Sequence, residues 1–298
     1  MDKQKQVRAD MMLVLVTLGW GVSYYLMDLC LEDLGPFTLN AFRFLGAFVI
    51  ACVLAFPKLK SVNRTTLRYS LLVGLALVFV YIGATFGVMY TSLSNSGFLC
   101  ALTVVFTPIL AFIFKKQVPS KKFILVLVLS VIGIALLSLN EEFRPALGDI
   151  LCIMCAVAYA VDLLLTETAV ASEQVDAFQL GVFQLGVTGL FMLILAVIFE
   201  TPHFPATPKV WASAIFLSVF CTGVAFIVQA VAQQYTAASH VGVIFTLEPV
   251  FSGIVAYFFA HEVLLPRAYV GAVLMIAGLF IMEIDFPALF GRKKVSDQ

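Results

Sequence analysis

Apolar runs of about 20 residues follow one another along the chain, separated by short polar breaks. There are ten, approximately Met11–Leu31, Pro36–Phe56, Tyr69–Tyr90, Asn95–Phe114, Lys122–Leu139, Gly148–Thr168, Ala177–Phe199, Val210–Ala232, Ala238–Ala260 and Pro266–Ile284. Coiled as an α-helix, a run of this length crosses the ~30 Å of a bilayer's hydrocarbon. In that medium only a helix or a closed barrel satisfies its own backbone. The pattern therefore predicts an all-α membrane protein with ten transmembrane helices. The first run lacks a small-residue cleavage site and reads as a mature span rather than a removable signal.

The pattern also repeats. Tyr235 to Glu262 falls on Tyr90 to Gln117 at a shift of 145 without a gap, with Tyr90/Tyr235, Thr91/Thr236, Ser94/Ser239, Gly97/Gly242, Val105/Val250, Phe106/Phe251 and Phe114/Phe259 identical. Register holds through Leu129/Leu274 and Gly133/Gly278. A match this long at one offset is a duplication. The early spans align at slightly different shifts, pairing Asp10/Asp149, Trp20/Tyr159 and Ser23/Asp162, then Phe37/Phe178, Phe42/Phe183 and Arg43/Gln184. Asn140 to Gly148 joins two units, residues 1–144 and 145–298, with five spans each. An odd number sends the second unit into the membrane from the opposite face, so two inverted five-helix repeats related by a two-fold axis in the membrane plane are expected. Trp20 and Tyr159 should then face each other across that axis.

Composition agrees with the spans: 62% of residues are hydrophobic, mean hydropathy is +1.04 and only 12% are charged, about half of what a soluble domain carries. Net charge is zero, yet the basic residues are unevenly placed. On one side lie Lys3, Lys5, Arg8, Lys58, Lys60, Arg64, Arg68, Lys115, Lys116, Lys121, Lys122, Arg292, Lys293 and Lys294; on the other only Arg144, Lys209 and Arg267. By the positive-inside rule both termini are expected in the cytoplasm.

Polar residues inside the runs are the candidate chemistry. The first span places Thr17, Trp20 and Tyr24 on one face, with Gly19 and Gly21 flanking a tryptophan that lies too centrally for an interfacial anchor. Arg43, about two turns inside the second span, has three readings: outward snorkelling, pairing with a carboxylate, or substrate contact. The third span carries Tyr81 and Gly83-x-x-x-Gly87, a spacing for close helix contact; Pro108 is expected to break the fourth. The sixth aligns Tyr159, Asp162 and Thr166, the seventh offers Gln179 and Gln184, and the eighth sets Thr222, Phe226, Gln229 and Gln233 along one face. Glu248-Pro249 then interrupts the ninth, the proline removing a donor and freeing carbonyls beside an acid whose first-copy equivalent is Thr103. A carboxylate near the bilayer centre costs ~2.5–3.5 kcal/mol, so Asp162 and Glu248 must be neutral, paired or facing water. Each reads either as a proton or substrate site or as a structural acid. Cys152-Ile-Met-Cys155 has redox spacing, but no neighbouring base, and reads as packing. No phosphate-cradling loop, metal-ligand cluster or nucleophile–base set stands out, and His203, His240 and His261 do not converge. Neither enzyme chemistry, a cofactor nor a nucleic-acid partner enters this reading.

Taken together, Gly19-Trp20-Gly21, Phe42-Arg43-Phe44, Tyr90-Thr91-Ser92-Leu93-Ser94-Asn95 with Phe98-Leu99, and Tyr235-Thr236-Ala237-Ala238-Ser239 through Leu247-Glu248-Pro249-Val250 to Glu262 resemble the EamA family of the drug/metabolite transporter superfamily. The resemblance covers nearly the whole chain. It implies a bacterial inner-membrane secondary carrier for small metabolites, often outward and often against protons, with a central cavity lined by spans one, three, four, six, eight and nine. Carried over by position, that cavity draws on Trp20, Tyr81, Tyr159, Asp162, Gln229 and Glu248. Arg43, Tyr90, Ser94, Tyr235, Ser239 and Pro249 are expected to be structural or gating residues. Two departures stand out: the first copy has Lys116-Gln117 where the family has a glycine–glutamate pair, and in the second His261 replaces the glycine before Glu262.

The acids and aromatics suit an ammonium group, whereas a phosphate carrier should present several basic residues inside. The expectation is a proton-coupled exporter of a small zwitterionic or cationic metabolite such as an amino acid, with protons and Glu248 and Asp162 as the coupling elements. The alternatives are an uptake carrier caging a choline-like cation among Trp20, Tyr81 and Tyr159, and a pore or structural membrane subunit without alternating access.

Overall fold

The computed structural model describes residues 3–90, 96, 99–138, 147–259 and 266–283. Ser94, Arg144, His261, Glu262 and Arg292 to Lys294 lie outside these. The protein is an all-helical membrane protein, and its helices follow the apolar runs in order. They are α1 (Lys3–Leu31), α2 (Pro36–Leu59), α3 (Arg64–Tyr90), α4 (Leu99–Lys115), α5 (Lys121–Ser138), α6 (Leu147–Val170), α7 (Ala177–Phe199), α8 (Pro208–Ala232), α9 (Ala238–Phe259) and α10 (Pro266–Glu283). Seven of them, α1, α2, α3, α6, α7, α8 and α9, are long and apolar enough to cross a membrane.

The polarity of the molecule is that of a body in oil. Val53, Leu54, Val197 and Phe199 point outward and are more than 60% exposed, while Arg43, Asp162, Gln184 and Gln229 are buried. Apolar side chains gain nothing from leaving lipid tails, so helix contacts depend on close packing and interior hydrogen bonds. Gly83 and Gly87 show the first of these: a Cβ on Gly83 would lie 2.5 Å from the Leu151 carbonyl oxygen, and one on Gly87 would press on Cys152 Sγ. α3 thus rests directly on the backbone of α6.

Neither half of the chain keeps its helices to itself. α3 packs on α6 and α7, α2 on α7 and α8, α5 on α10, and α1 on α8 and α9. Polar clasps hold these pairings at both ends. At one end, Gln179 Nε2 donates to the Lys58 carbonyl (2.7 Å), Asn63 Nδ2 donates to the Gln174 carbonyl, and Lys115 forms an ion pair with Glu167. Glu167 also accepts from the Ala238 backbone N–H (3.0 Å) at the start of α9, and His240 Nε2 lies 3.5 Å from Asp10 Oδ2. At the opposite end, Glu200 receives the N–H groups of Phe37 and Thr38 (both 2.8 Å) and the Thr38 hydroxyl (2.6 Å), supplying partners that the first turn of α2 lacks.

α4 and α9 are both interrupted. In α9 a turn at Thr246 and Leu247 separates Ala238–Phe245 from Glu248–Phe259, with Thr246 and Leu247 bonding back only three residues. The proline expectation holds there, since Pro249 lies in the first turn of the second piece. α4 departs from expectation. Its helix runs through Pro108 unbroken from Thr103 to Lys115, and the turn falls earlier, at Leu102. Leu102 is the 145-shifted equivalent of Leu247. The first copy therefore bends at the matching place with Val104, which keeps its N–H, where the second has Pro249. A further irregularity gave no signal in the sequence: α8 contains a π-turn at Val219–Val224. Finally, Lys116 ends α4 at φ 55°, the left-handed conformation natural to glycine, its N–H bonded to the Ala111 and Phe112 carbonyls.

Candidate functional site

Trp20, on α1, is the hub of the interior. Its ring lies 5.9 Å edge to face from Tyr159, 5.6 Å from Phe226 and 4.8 Å from Phe245, centroid to centroid. Trp20 and Tyr159, the residues paired by the repeat, do meet. The indole is fixed by its polar edge, Nε1 donating to the Cys221 carbonyl at 2.9 Å, while Cys221 Sγ returns a bond to the Gly19 carbonyl at 3.2 Å. The accepting carbonyl lies within the π-turn, where the intrahelical bonding changes register and backbone groups become available. Gly21, the next residue, brings α9 close, for a Cβ there would sit 2.5 Å from Phe251 Cβ.

A chain of polar contacts runs from these rings to the buried acid. Tyr159 Oη donates to Gln229 Oε1 (2.9 Å), and Gln229 Nε2 donates to Asp162 Oδ2 (3.0 Å). Gln233 Nε2 holds the α6 backbone at Leu163 (2.9 Å). Asp162 is wholly buried, and its other oxygen, Oδ1, has no hydrogen-bond partner among the described residues. A carboxylate so placed has a vacant lone-pair face in a low-dielectric setting, where a proton or an ammonium is strongly attracted. Thr166, expected on the same stripe, is buried nearby in α6 but does not bond the acid.

Glu248 is the first residue of the second piece of α9, with Pro249 buried behind it. Its carboxyl lies beside the side chain of Tyr24 on α1. Tyr24 lies one turn beyond Trp20 and was visible in the sequence as part of the same face; its link to Glu248 required the fold. Thr103, the equivalent of Glu248, instead donates to the carbonyls of Cys100 (2.8 Å) and Ala156 (3.3 Å), joining α4 to α6.

Arg43 and Tyr81 form a separate cluster. The guanidinium is 2% exposed, so it does not snorkel; Nε donates to Thr222 Oγ1 at 2.8 Å and its carbon stands 4.9 Å from the Tyr81 ring centre. Tyr81 packs edge to face on Phe44 at 4.6 Å and 6.0 Å from Phe226, but makes no bond to Asp162 or Glu248. The π-turn divides the stripe expected on α8: Thr222 serves α2, whereas Gln229 and Gln233 serve α6.

The expected gating residues lie apart from this centre. Tyr90 is exposed and stacked on Phe86, Tyr235 is half-buried beneath the ammonium of Lys5 (5.9 Å), and Ser239 is half-buried near the end clasped by Glu167.

Comparison with known proteins places this arrangement. An uncharacterized transporter of Archaeoglobus fulgidus is 29% identical over 280 residues, covering 94% of this chain and 87% of the relative. The uncharacterized transporter YoaV of Bacillus subtilis is 20% identical over 297 residues, covering 97% and 100%. One solved crystal structure has the same fold, with a TM-score of 0.77 at 14% identity over 93% of this chain and 96% of the other. The EamA-like transporter family matches twice, over residues 7–139 and again over 146–284. Both halves carry the family's pattern, and the chain belongs to the EamA-like transporter family, whose members are membrane transporters.

Proposed function

We propose that the protein is a proton-coupled secondary carrier that exports a small metabolite bearing an ammonium group, an amino acid or a similar compound, by alternating access about the Trp20–Asp162 centre. The observation that carries this reading is Asp162: fully buried, held by Gln229 through one oxygen, with the other oxygen unbonded beside an aromatic cluster. An ammonium there gains a charge-assisted hydrogen bond and ring faces together. Glu248, at the break of α9 and beside Tyr24 on a helix of the other repeat, is the proton-carrying group in this reading. Two inverted repeats, residues 1–144 and 145–298, supply the two facings. The double family match and the equivalent turns at Leu102 and Leu247 support that division.

Asp162→Asn keeps the shape and the Gln229 contact but removes the charge. It is expected to weaken binding of the stabilising ammonium compound by ~10- to 100-fold, the value of one hydrogen bond to a charged group, with little change in pH dependence. The compound itself is found by thermal-shift screening of the purified protein against amino acids, amines and quaternary cations. Unchanged affinity in Asp162→Asn would remove the acid from the site.

A cage for a quaternary cation is the second reading, favoured by the Trp20–Tyr159 contact. Against it, the Tyr81 ring is already occupied by a guanidinium. Saturable, pH-dependent flux in proteoliposomes separates either carrier from a pore.

Orientation follows from the basic asymmetry: the Lys115–Glu167 end is the cytoplasmic one and the Glu200 end external. Reporter fusions at Gln298 should read cytoplasmic and fusions in the 200–209 loop external. A cytoplasmic signal from that loop would overturn the inverted-repeat topology.

A further inference from the structure

Arg43 holds a buried positive charge that the reading above does not use. Its backbone carbonyl accepts from Ser218 Oγ (2.8 Å) and its Nε donates to Thr222, so α8 fixes both ends of the residue. Nη1 reaches only the thioether of Met27 at 4.0 Å, and Nη2 makes no hydrogen bond among the described residues. No described carboxylate lies within ion-pair distance of Arg43. Ring faces and a thioether are weak partners for a guanidinium withdrawn from water, and a buried charge is normally matched by an opposite one. The geometry leaves the Nη edge, the edge that takes a carboxylate in a two-point fork, without an acceptor.

The position of that edge relative to the acid gives it meaning. From Arg43 the rings run in sequence: Tyr81 lies 6.0 Å from Phe226, Phe226 5.6 Å from Trp20, and Trp20 5.9 Å from Tyr159, whose hydroxyl leads through Gln229 to Asp162. A cation without an anion stands at one end of an aromatic cluster, and an acid with an unbonded oxygen at the other.

We propose that Arg43 is the subsite for the substrate's carboxylate, so that the carrier takes zwitterions, with the carboxylate on the Arg43 Nη edge. A single guanidinium matches the single charge of a carboxylate and leaves the second charge of a phosphate monoester unanswered. This assignment rests on the carrier reading above and adds a requirement that reading does not contain.

The test compares, on purified protein, each α-amino acid with the amine that lacks its carboxylate and with its primary amide. Wild-type protein is expected to bind at least one amino acid tenfold or more tightly than its amine and its amide. Arg43→Gln should bring all three within about threefold while leaving amine affinity in place. Arg43→Lys, which keeps the charge but loses the planar fork, should show an intermediate preference and guards against a glutamine variant that does not fold. Amines that bind wild-type protein as well as the acids would overturn the carboxylate subsite and leave the carrier reading standing. So would a wild-type preference that persists undiminished in Arg43→Gln or Arg43→Lys. Failure of all three series to bind wild-type protein would overturn both.

Discussion

Glu248→Gln is expected to abolish pH-driven transport in proteoliposomes while substrate exchange at equal pH on both sides remains measurable. The glutamine keeps the size and polarity of the side chain beside Tyr24, but it cannot carry a proton between the two facings. The energy at stake is large. One proton moving inward supplies ~1.36 kcal/mol per unit of pH difference, and ~2.3 kcal/mol more per 100 mV if a net charge crosses. A hundredfold outward gradient of a neutral solute needs about 2.7 kcal/mol at ~1.36 kcal/mol per tenfold, so one proton per turnover suffices where about one unit of pH difference and about 100 mV act together. Counterflow and pH-jump assays on the same vesicles separate loss of coupling from loss of binding. If Glu248→Gln and Asp162→Asn both retain full pH-driven transport, the acids are structural and proton coupling is withdrawn, while the membrane-transporter assignment stands.

The second large effect belongs to assembly. Gly83→Leu is expected to leave little monodisperse protein in detergent, because even a Cβ at this position would press on the Leu151 carbonyl oxygen at 2.5 Å and on the Cys155 backbone at 2.8 Å. Neither neighbour is the free end of a flexible chain. Gly83→Ala, the milder form, should cost ~1–3 kcal/mol, the usual range for overpacking, and lower the melting temperature by several degrees. Gly19→Ala is the matched control: a Cβ there meets nothing within 4 Å, and the melting temperature should not move. Size-exclusion profiles and thermal scans of the three variants decide it; a normal profile for Gly83→Leu would mean that α3 and α6 are not held as described.

The helices were legible because in lipid a single property, an unbroken apolar run of sufficient length, both requires and marks each one. The pairing of Trp20 with Tyr159 was legible for another reason: duplication writes three-dimensional equivalence into the sequence as an offset. Two kinds of information were not accessible. Local backbone irregularity was one. Pro108 looked like a break and lies inside a continuous helix, while the π-turn at Val219–Val224 carries no residue that demands it. The other was the partner of each polar side chain. The seven-residue spacing of Thr222 and Gln229 suggested one polar face; the register change sends one to Arg43 and the other to Asp162. Glu167 and Glu200, unremarked along the chain, prove to be caps on the first turns of α9 and α2. Such caps depend on which helix arrives beside them, and spacing along the chain does not encode that.

The crossing of helices between the two halves has a consequence for biosynthesis. Thr222, the hydrogen-bond partner of Arg43, lies 179 positions further along the chain. At ~5–20 residues per second of synthesis, α2 waits on the order of 10 to 35 s in the membrane before the helix that receives its arginine has been made. For that interval Arg43 has as partners the Tyr81 ring and the Met27 thioether, both made before Thr222, and its long side chain also has the outward route to the headgroups. The nascent first half is a waiting intermediate whose deepest charge is settled only by the arrival of the second.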